Sequence, residues 1–91
     1  MYTVQVGAFE KFDSAAALIG RLKMQYDLVF IEQFAKDRTF YRVRVGCAIN
    51  RGAARQLEQQ LRTEGFEPFT TLLTNQQSCA LHSQEPLYLR E

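Results

Sequence analysis

A stretch near the amino terminus, YTVQVGAF at residues 2–9, returns in altered form as YRVRVGCA at residues 41–48. The match continues beyond these stretches, because apolar residues and glycines separated by 39 positions also correspond in the segments that follow. One supersecondary unit cannot bury its own apolar face, so two copies are expected to pack together, with every matched position in the core or at a bend. The matched pairs are Tyr2 and Tyr41, Val4 and Val43, Val6 and Val45, Gly7 and Gly46, Ala15 and Ala54, Leu18 and Leu57, Leu22 and Leu61, and Phe30 and Phe69.

The first copy predicts a strand, a helix and a second strand. Residues 2–6 alternate apolar and polar side chains, which is typical of a strand with one buried face. A helix is expected to begin at an N-cap, Asp13 or Ser14, and to run to about Met24, because apolar residues recur there at helical spacing. Residues 28–35 are rich in Val, Ile and Phe and predict the second strand.

The second copy predicts the same order of elements. Residues 40–45 alternate as a strand, and Asn50 is the N-cap candidate for the helix that follows. Gly65 is expected to end that helix in a left-handed conformation. Residues 66–74 complete the unit, and Pro68 favours an edge strand, where its missing N–H does no harm.

Two such units predict an α+β fold of the ferredoxin-like, RNA-recognition-like class. It is a two-layer sandwich of two βαβ repeats, with a four-stranded antiparallel sheet and both helices on one face. Right-handed crossovers place the first and third strands side by side in the middle of the sheet. At 91 residues the chain fits one domain, over residues 1–74, with a carboxyl-terminal extension over residues 75–91 that packs on the sheet edge or on the helices.

Composition narrows the class of partner. A net charge of +1 does not favour binding to nucleic acid, and apolar runs such as residues 28–31 are far shorter than the roughly 20 residues of a membrane span. No membrane insertion by this chain is expected. The amino terminus enters a strand pattern at once and lacks the regions of a signal peptide, so we expect any export signal or anchor of the parent protein to lie elsewhere.

The cysteine and histidine content predicts neither a metal site nor another cofactor. Cys47 and Cys79 lie too far apart and have too few histidines for a zinc or redox motif, and His82 has no visible partner for catalysis. The two cysteines are compatible with a disulfide in an oxidising compartment and equally with two half-buried thiols.

The face of the sheet turned away from the helices holds the candidate binding residues. The alternation places Gln5, Phe40, Arg42 and Arg44 near its centre. An aromatic ring flanked by hydrogen-bond donors on a rigid sheet suits a flat ligand with polar edges. The competing interpretation is that the two arginines are solvated charges that discourage sheet-to-sheet aggregation.

The opening VQVGAF and the later YRVRVG, each followed by a predicted helix, resemble the SPOR domain, the sporulation-related repeat of bacterial cell-envelope proteins. The resemblance covers about residues 2–74. It implies binding to peptidoglycan, in particular to glycan strands whose stem peptides have been removed at the division septum. By motif position it implicates Gln5, Ala8, Phe40 and Arg42.

The chemistry of such a glycan agrees with these residues. Arg42 or Arg44 is expected to pair with the lactyl carboxylate that peptide removal exposes, and Gln5 with an acetamido group. Phe40 offers an apolar face to a sugar ring. Ala8 departs from many family members, which carry Ser or Thr there, and Cys47 stands where many have Pro.

Two other functions use the same topology. RNA-recognition domains bind single strands on their central strands, but here Phe40 is the one aromatic residue among the predicted central positions. An acylphosphatase-type enzyme needs a phosphate-binding loop, and the sequence shows neither that loop nor a Ser, His and Asp constellation. We predict a non-catalytic peptidoglycan-binding module of the bacterial cell envelope, on its periplasmic or extracytoplasmic side, with a single-stranded nucleic-acid-binding domain as the alternative.

Overall fold

The computed structural model describes residues 1–73 and the backbone of residues 88–89. Cys79, His82 and most of the predicted extension lie outside the described residues. The described residues form, in chain order, β1 (Tyr2–Phe9), α1 (Phe12–Leu22), β2 (Val29–Ala35), β3 (Thr39–Ala48), α2 (Arg51–Thr63), β4 (Phe69–Leu72) and β5 (Tyr88–Leu89).

The strands form one sheet in the order β4-β1-β3-β2-β5. Strands β1 to β4 pair antiparallel, with β1 and β3 at the centre of these four. The predicted ferredoxin-like arrangement is therefore confirmed. Pro68 lies directly before β4, which is an edge strand as predicted. The sequence pattern missed β5, which pairs parallel with β2 and adds a fifth strand to the sheet.

The helix ends follow the predicted capping rules at α2 and break them at α1. Asn50 caps α2 as expected, since its side-chain oxygen accepts from the Ala53 N–H at 2.8 Å. Gly65 follows that helix with a positive φ of 99°. The prediction for α1 is wrong, because this helix begins at Phe12 and has no side-chain cap. Asp13 lies in its first turn, where a carboxylate favours the positive end of the helix dipole.

The core lies between the helices and one face of the sheet. Most of the matched repeat positions meet there, which confirms the reason for the repeat. Phe30 and Phe69 are the exceptions, because both lie on the other face of the sheet, where Phe30 is fully buried and Phe69 is 51% exposed. The buried residues of this core are Val4, Ala15, Ile19, Leu22, Val29, Ile31, Val43, Val45, Ala54 and Leu61.

The predicted bend at Gly46 depends on its lack of a side chain. Gly46 has a φ of +72°, and a Cβ atom there would lie 2.7 Å from the Leu57 Cδ2. The left-handed backbone therefore favours glycine strongly, and a larger residue would also have to displace the end of the Leu57 side chain.

Cys47 is disulfide-bonded, so it is not a half-buried free thiol. Neither described helix could cross a membrane, because α1 and α2 have only 11 and 13 residues.

Candidate ligand-binding surface on the open sheet face

The side of the sheet opposite α1 and α2, here called the open face, carries a shallow hollow of about 400 Å³. We call it the sheet hollow. All five predicted site residues line it, so the structure brings together side chains from both central strands. These residues are Gln5, Ala8, Phe40, Arg42 and Arg44, and they are joined there by Phe34, Phe69 and Thr71.

A β-bulge in β1 puts Ala8 on this surface. Gln5 pairs with Arg44 and Ala8 with Arg42, so three steps along β1 correspond to two along β3. The extra residue lies between Gln5 and Gly7, and it reverses the alternation that would otherwise point Ala8 towards the helices. Ala8 is exposed at one end of the sheet hollow.

Arg44 is buried and already has partners. Its side chain is 6% exposed, and its Nη1 donates to the Glu32 Oε1 at 2.8 Å. Burial lowers the pKa of the Arg44 guanidinium, and the Glu32 carboxylate opposes that effect. The interpretation of Arg44 as a solvated charge is therefore wrong, whereas a direct contact between Arg44 and a glycan stays a prediction.

Arg44 also orients Gln5. The Arg44 Nε donates to the Gln5 Oε1 at 3.3 Å, which occupies the acceptor end of the amide. The Gln5 NH₂ group is then the end available to a ligand, so Gln5 is set up as a hydrogen-bond donor.

Arg42 lies two residues before Arg44 on the same face but in a different environment. Its side chain is 24% exposed, and its guanidinium carbon lies 3.9 Å from the centre of the Phe34 ring. The Glu32 Oε1 is 3.9 Å from the Arg42 Nη1, beyond hydrogen-bond distance. Within the described part of the chain no hydrogen bond uses the Arg42 guanidinium, so its donors are available to a ligand.

Two aromatic walls of the sheet hollow were missed by the sequence reasoning. Phe34 is 39% exposed and pairs with Phe40 across β2 and β3. The alternation of Phe30, Glu32 and Phe34 along β2 was a signal that would have found it. Phe69 was expected in the core because it matches Phe30 in the repeat, and no local signal indicated otherwise.

At the end of the open face away from Ala8 and Arg42, the side chains are buried. Phe30 is fully buried, and Thr3 is 1% exposed although both point away from the main core. The Thr3 hydroxyl lies 2.7 Å from the Gly46 carbonyl oxygen and 3.2 Å from that of Val45. Accessible groups are thus concentrated around Arg42, at the end of the face that also carries Ala8.

The chemistry of the sheet hollow is that of a binding surface. It combines a cation with available donors, an oriented amide and three partly exposed phenyl rings. Across residues 1–73, no three His, Cys, Asp or Glu side chains come together as a metal-binding group. The arrangement suits an extended ligand with both polar edges and apolar ring faces.

A family model described as the SPOR domain matches residues 1–71. The chain belongs to the SPOR domain family. The fold agrees with the crystal structure of the RlpA SPOR domain from Pseudomonas aeruginosa, with a TM-score of 0.69 and 24% identity over 80% of this chain and 100% of that one. A search of curated proteins found no match.

A second solved structure is similar at a slightly higher identity. It is the solution structure of the peptidoglycan-binding domain of the Bacillus subtilis cell wall lytic enzyme CwlC. The TM-score is 0.65, and the sequences are 26% identical over 80% of this chain and 89% of that domain.

Proposed function

We propose that this SPOR domain is a non-catalytic module that binds peptidoglycan through the sheet hollow, and that it prefers glycan strands without stem peptides. The observation that carries the proposal is the partly exposed Arg42 guanidinium, stacked on Phe34 beside the oriented amide of Gln5. Membership of the family and the similarity to a peptidoglycan-binding domain support the same partner.

Each accessible group of the hollow has a counterpart on a denuded glycan. Arg42 pairs with the lactyl carboxylate, because a guanidinium forms charge-assisted hydrogen bonds with such a group. The Gln5 NH₂ group donates to an acetamido carbonyl oxygen. Phe40 offers its ring to the apolar face of a sugar, and Ala8 leaves clearance beside Arg42. Arg44 acts as a positioning residue, through its contacts with Gln5 and Glu32.

An intact stem peptide would convert the lactyl carboxylate into an amide and crowd the open face. The loss of the negative charge removes the group that Arg42 recognises, so peptide-free strands bind more tightly. Such strands arise where amidases act, and the module would therefore direct its parent protein to the division septum. The disulfide-bonded Cys47 supports a location on the extracytoplasmic side of the envelope, because disulfides persist in oxidising compartments.

The test is a pull-down on purified sacculi before and after amidase treatment. We expect retention to increase after the treatment and to be lost in Arg42→Ala and Phe40→Ala, while thermal unfolding shows that both variants stay folded. Arg21→Ala is the control, since Arg21 lies on α1 beside Phe66, away from the open face. Equal retention by treated and untreated sacculi would contradict the preference for peptide-free strands. Binding to single-stranded RNA instead of sacculi would contradict the function.

A further inference from the structure

A second hollow lies at the outer edge of β4, where the end strand of the sheet meets α2. It has a volume of about 280 Å³ and is here called the edge hollow. Its lining includes Tyr2, Arg51, Arg55, Glu58, Phe69 and Thr71.

The edge hollow and the sheet hollow have a common wall. Phe69 and Thr71 line both of them, so only the narrow strand β4 separates the two. Phe69 is 51% exposed, which makes its ring a wall that a ligand would contact from either side. A linear ligand that leaves the sheet hollow across β4 therefore enters the edge hollow.

Arg51 and Arg55 provide the charge of the edge hollow. Both are exposed and lie one turn apart on the same side of α2. The Arg51 guanidinium carbon lies 5.4 Å from the centre of the Tyr2 ring, which holds this cation beside the sheet. In residues 1–73 neither arginine forms an ion pair with a carboxylate.

The acid in this hollow does not neutralise these arginines. The Glu58 Oε1 accepts from the Thr70 backbone N–H at 2.9 Å and from the Thr70 hydroxyl at 2.7 Å. Its Oε2 accepts from the Arg62 Nη2 at 2.8 Å. Hydrogen bonds from Thr70 in particular lower the pKa of the Glu58 carboxyl, so it stays charged and paired. The edge hollow as a whole keeps a positive charge.

We propose that Arg51 and Arg55 form a second carboxylate-binding subsite, which takes a further lactyl carboxylate of the same glycan strand whose first carboxylate is held by Arg42. The inference rests on the proposed function and deepens it. Lactyl groups occur on alternate sugars of a denuded strand, so a chain long enough to cross β4 carries one into the edge hollow. The surface then selects strands by length as well as by the absence of peptides.

The test uses denuded glycan fragments of two lengths, one with a single disaccharide and therefore one lactyl carboxylate, and one with four or more disaccharides. Affinities are measured by calorimetry for the wild-type chain and for the double variant Arg51→Gln, Arg55→Gln. We expect the double variant to bind the long fragment roughly five- to tenfold more weakly, because two charge-assisted contacts are lost at an exposed site. Its affinity for the short fragment should change less than about twofold, since that fragment already occupies the sheet hollow.

Arg21→Gln is the matched control, because its guanidinium also lies over an aromatic ring, 5.7 Å from the centre of Phe66 on the helix side. A second comparison in the same experiment uses long fragments whose lactyl carboxylates have been converted to methyl amides. They should bind the wild type and the double variant equally, which ties the effect to the carboxylate. Thermal unfolding checks that every variant is folded.

The outcomes separate the subsite from the proposed function. If the double variant behaves like Arg21→Gln, or weakens short and long fragments equally, the subsite is wrong, whereas a loss of binding in Arg42→Ala still supports the function. If the wild type binds neither fragment, both proposals are wrong.

Discussion

Arg42 and Arg44 lie two residues apart on β3 and point to the same face, yet they serve the molecule in different ways. Arg44 is enclosed and bound to Glu32 and Gln5, whereas Arg42 stacks on Phe34 with its donors available. The comparison teaches that a face predicted from alternation is not uniform. One end of it is buried and internally paired, and the other is open to solvent.

The difference arises from which side chains of β2 the two arginines contact. Glu32 lies directly opposite Arg42 in the strand register, but its carboxylate is closer to Arg44, at 2.8 Å against 3.9 Å. Arg42 instead lies over Phe34, the next residue of β2 on this face. Each arginine thus uses a diagonal neighbour, and Glu32 forms its closer ion pair with the buried cation rather than with the exposed one.

The largest effect should come from removing the buried arginine. Arg44→Met is expected to lower the free energy of unfolding by roughly 3 kcal/mol, because Glu32 then keeps a largely buried charge without its partner. Arg42→Met should change it by less than about 1 kcal/mol, since its contacts are partly solvated. Urea denaturation measures both. Replacing Arg44 and Glu32 together by apolar residues should recover much of the loss, and equal stability of the two single variants would remove the distinction.

The next largest effect should come from replacing Phe34, on whose ring the Arg42 guanidinium stacks. Phe34→Leu is expected to weaken glycan binding by about fivefold, because a cation–π contact of roughly 1 kcal/mol no longer holds the guanidinium in place. In a background of Arg42→Ala, the same change should have little further effect. Calorimetry gives the affinities. Phe12→Leu is the control, because Phe12 is equally exposed at 39% but lies on α1.

Salt should sharpen the contrast between the two ends of the face. Raising the ionic strength from about 0.05 to 0.5 M shortens the range of charge interactions, so glycan affinity should fall a few-fold. The stability difference between wild type and Arg44→Met should change little, since a buried pair is screened much less. A titration of both quantities against salt tests this. Similar salt dependence of the two would contradict the assignment of Arg44 to the buried end.

The smallest effect is expected at the exposed end of the face. Ala8→Ser adds a hydroxyl beside Arg42 and should strengthen glycan binding by about threefold through one further hydrogen bond. The unfolding free energy should stay within about 0.5 kcal/mol, because the position is exposed. Ala17→Ser on α1 is the control for the added hydroxyl. Weaker binding of Ala8→Ser would mean that this position serves as clearance alone.

Much of the fold was predictable because its signals are local or repeated. Alternation identified β1 and β3, and the internal repeat supplied the long-range information that two equal units pack into one sheet. Asn50 and Gly65 marked the ends of α2 through capping chemistry that neighbouring residues decide. The predicted start of α1 was wrong. Asp13 and Ser14 each suggested an N-cap, but the helix begins before them and uses neither as its cap.

The candidate site was predictable only in part. Alternation placed Gln5, Phe40 and Arg42 on one face, and the structure agrees. Ala8 was reached through the family resemblance, because the bulge in β1 breaks the alternation that a sequence pattern follows. Phe69 matched a buried partner in the repeat, yet it lies exposed at the start of β4.

Periodicity was therefore sufficient to predict which residues share a face, because side-chain direction follows from backbone geometry within each strand. It was insufficient to predict which of two identical side chains would be buried, because burial depends on neighbours brought from distant positions by packing. Arg42 and Arg44 are indistinguishable in the pattern YRVRVG, and the placement of Glu32 and Phe34 on β2 separates their roles.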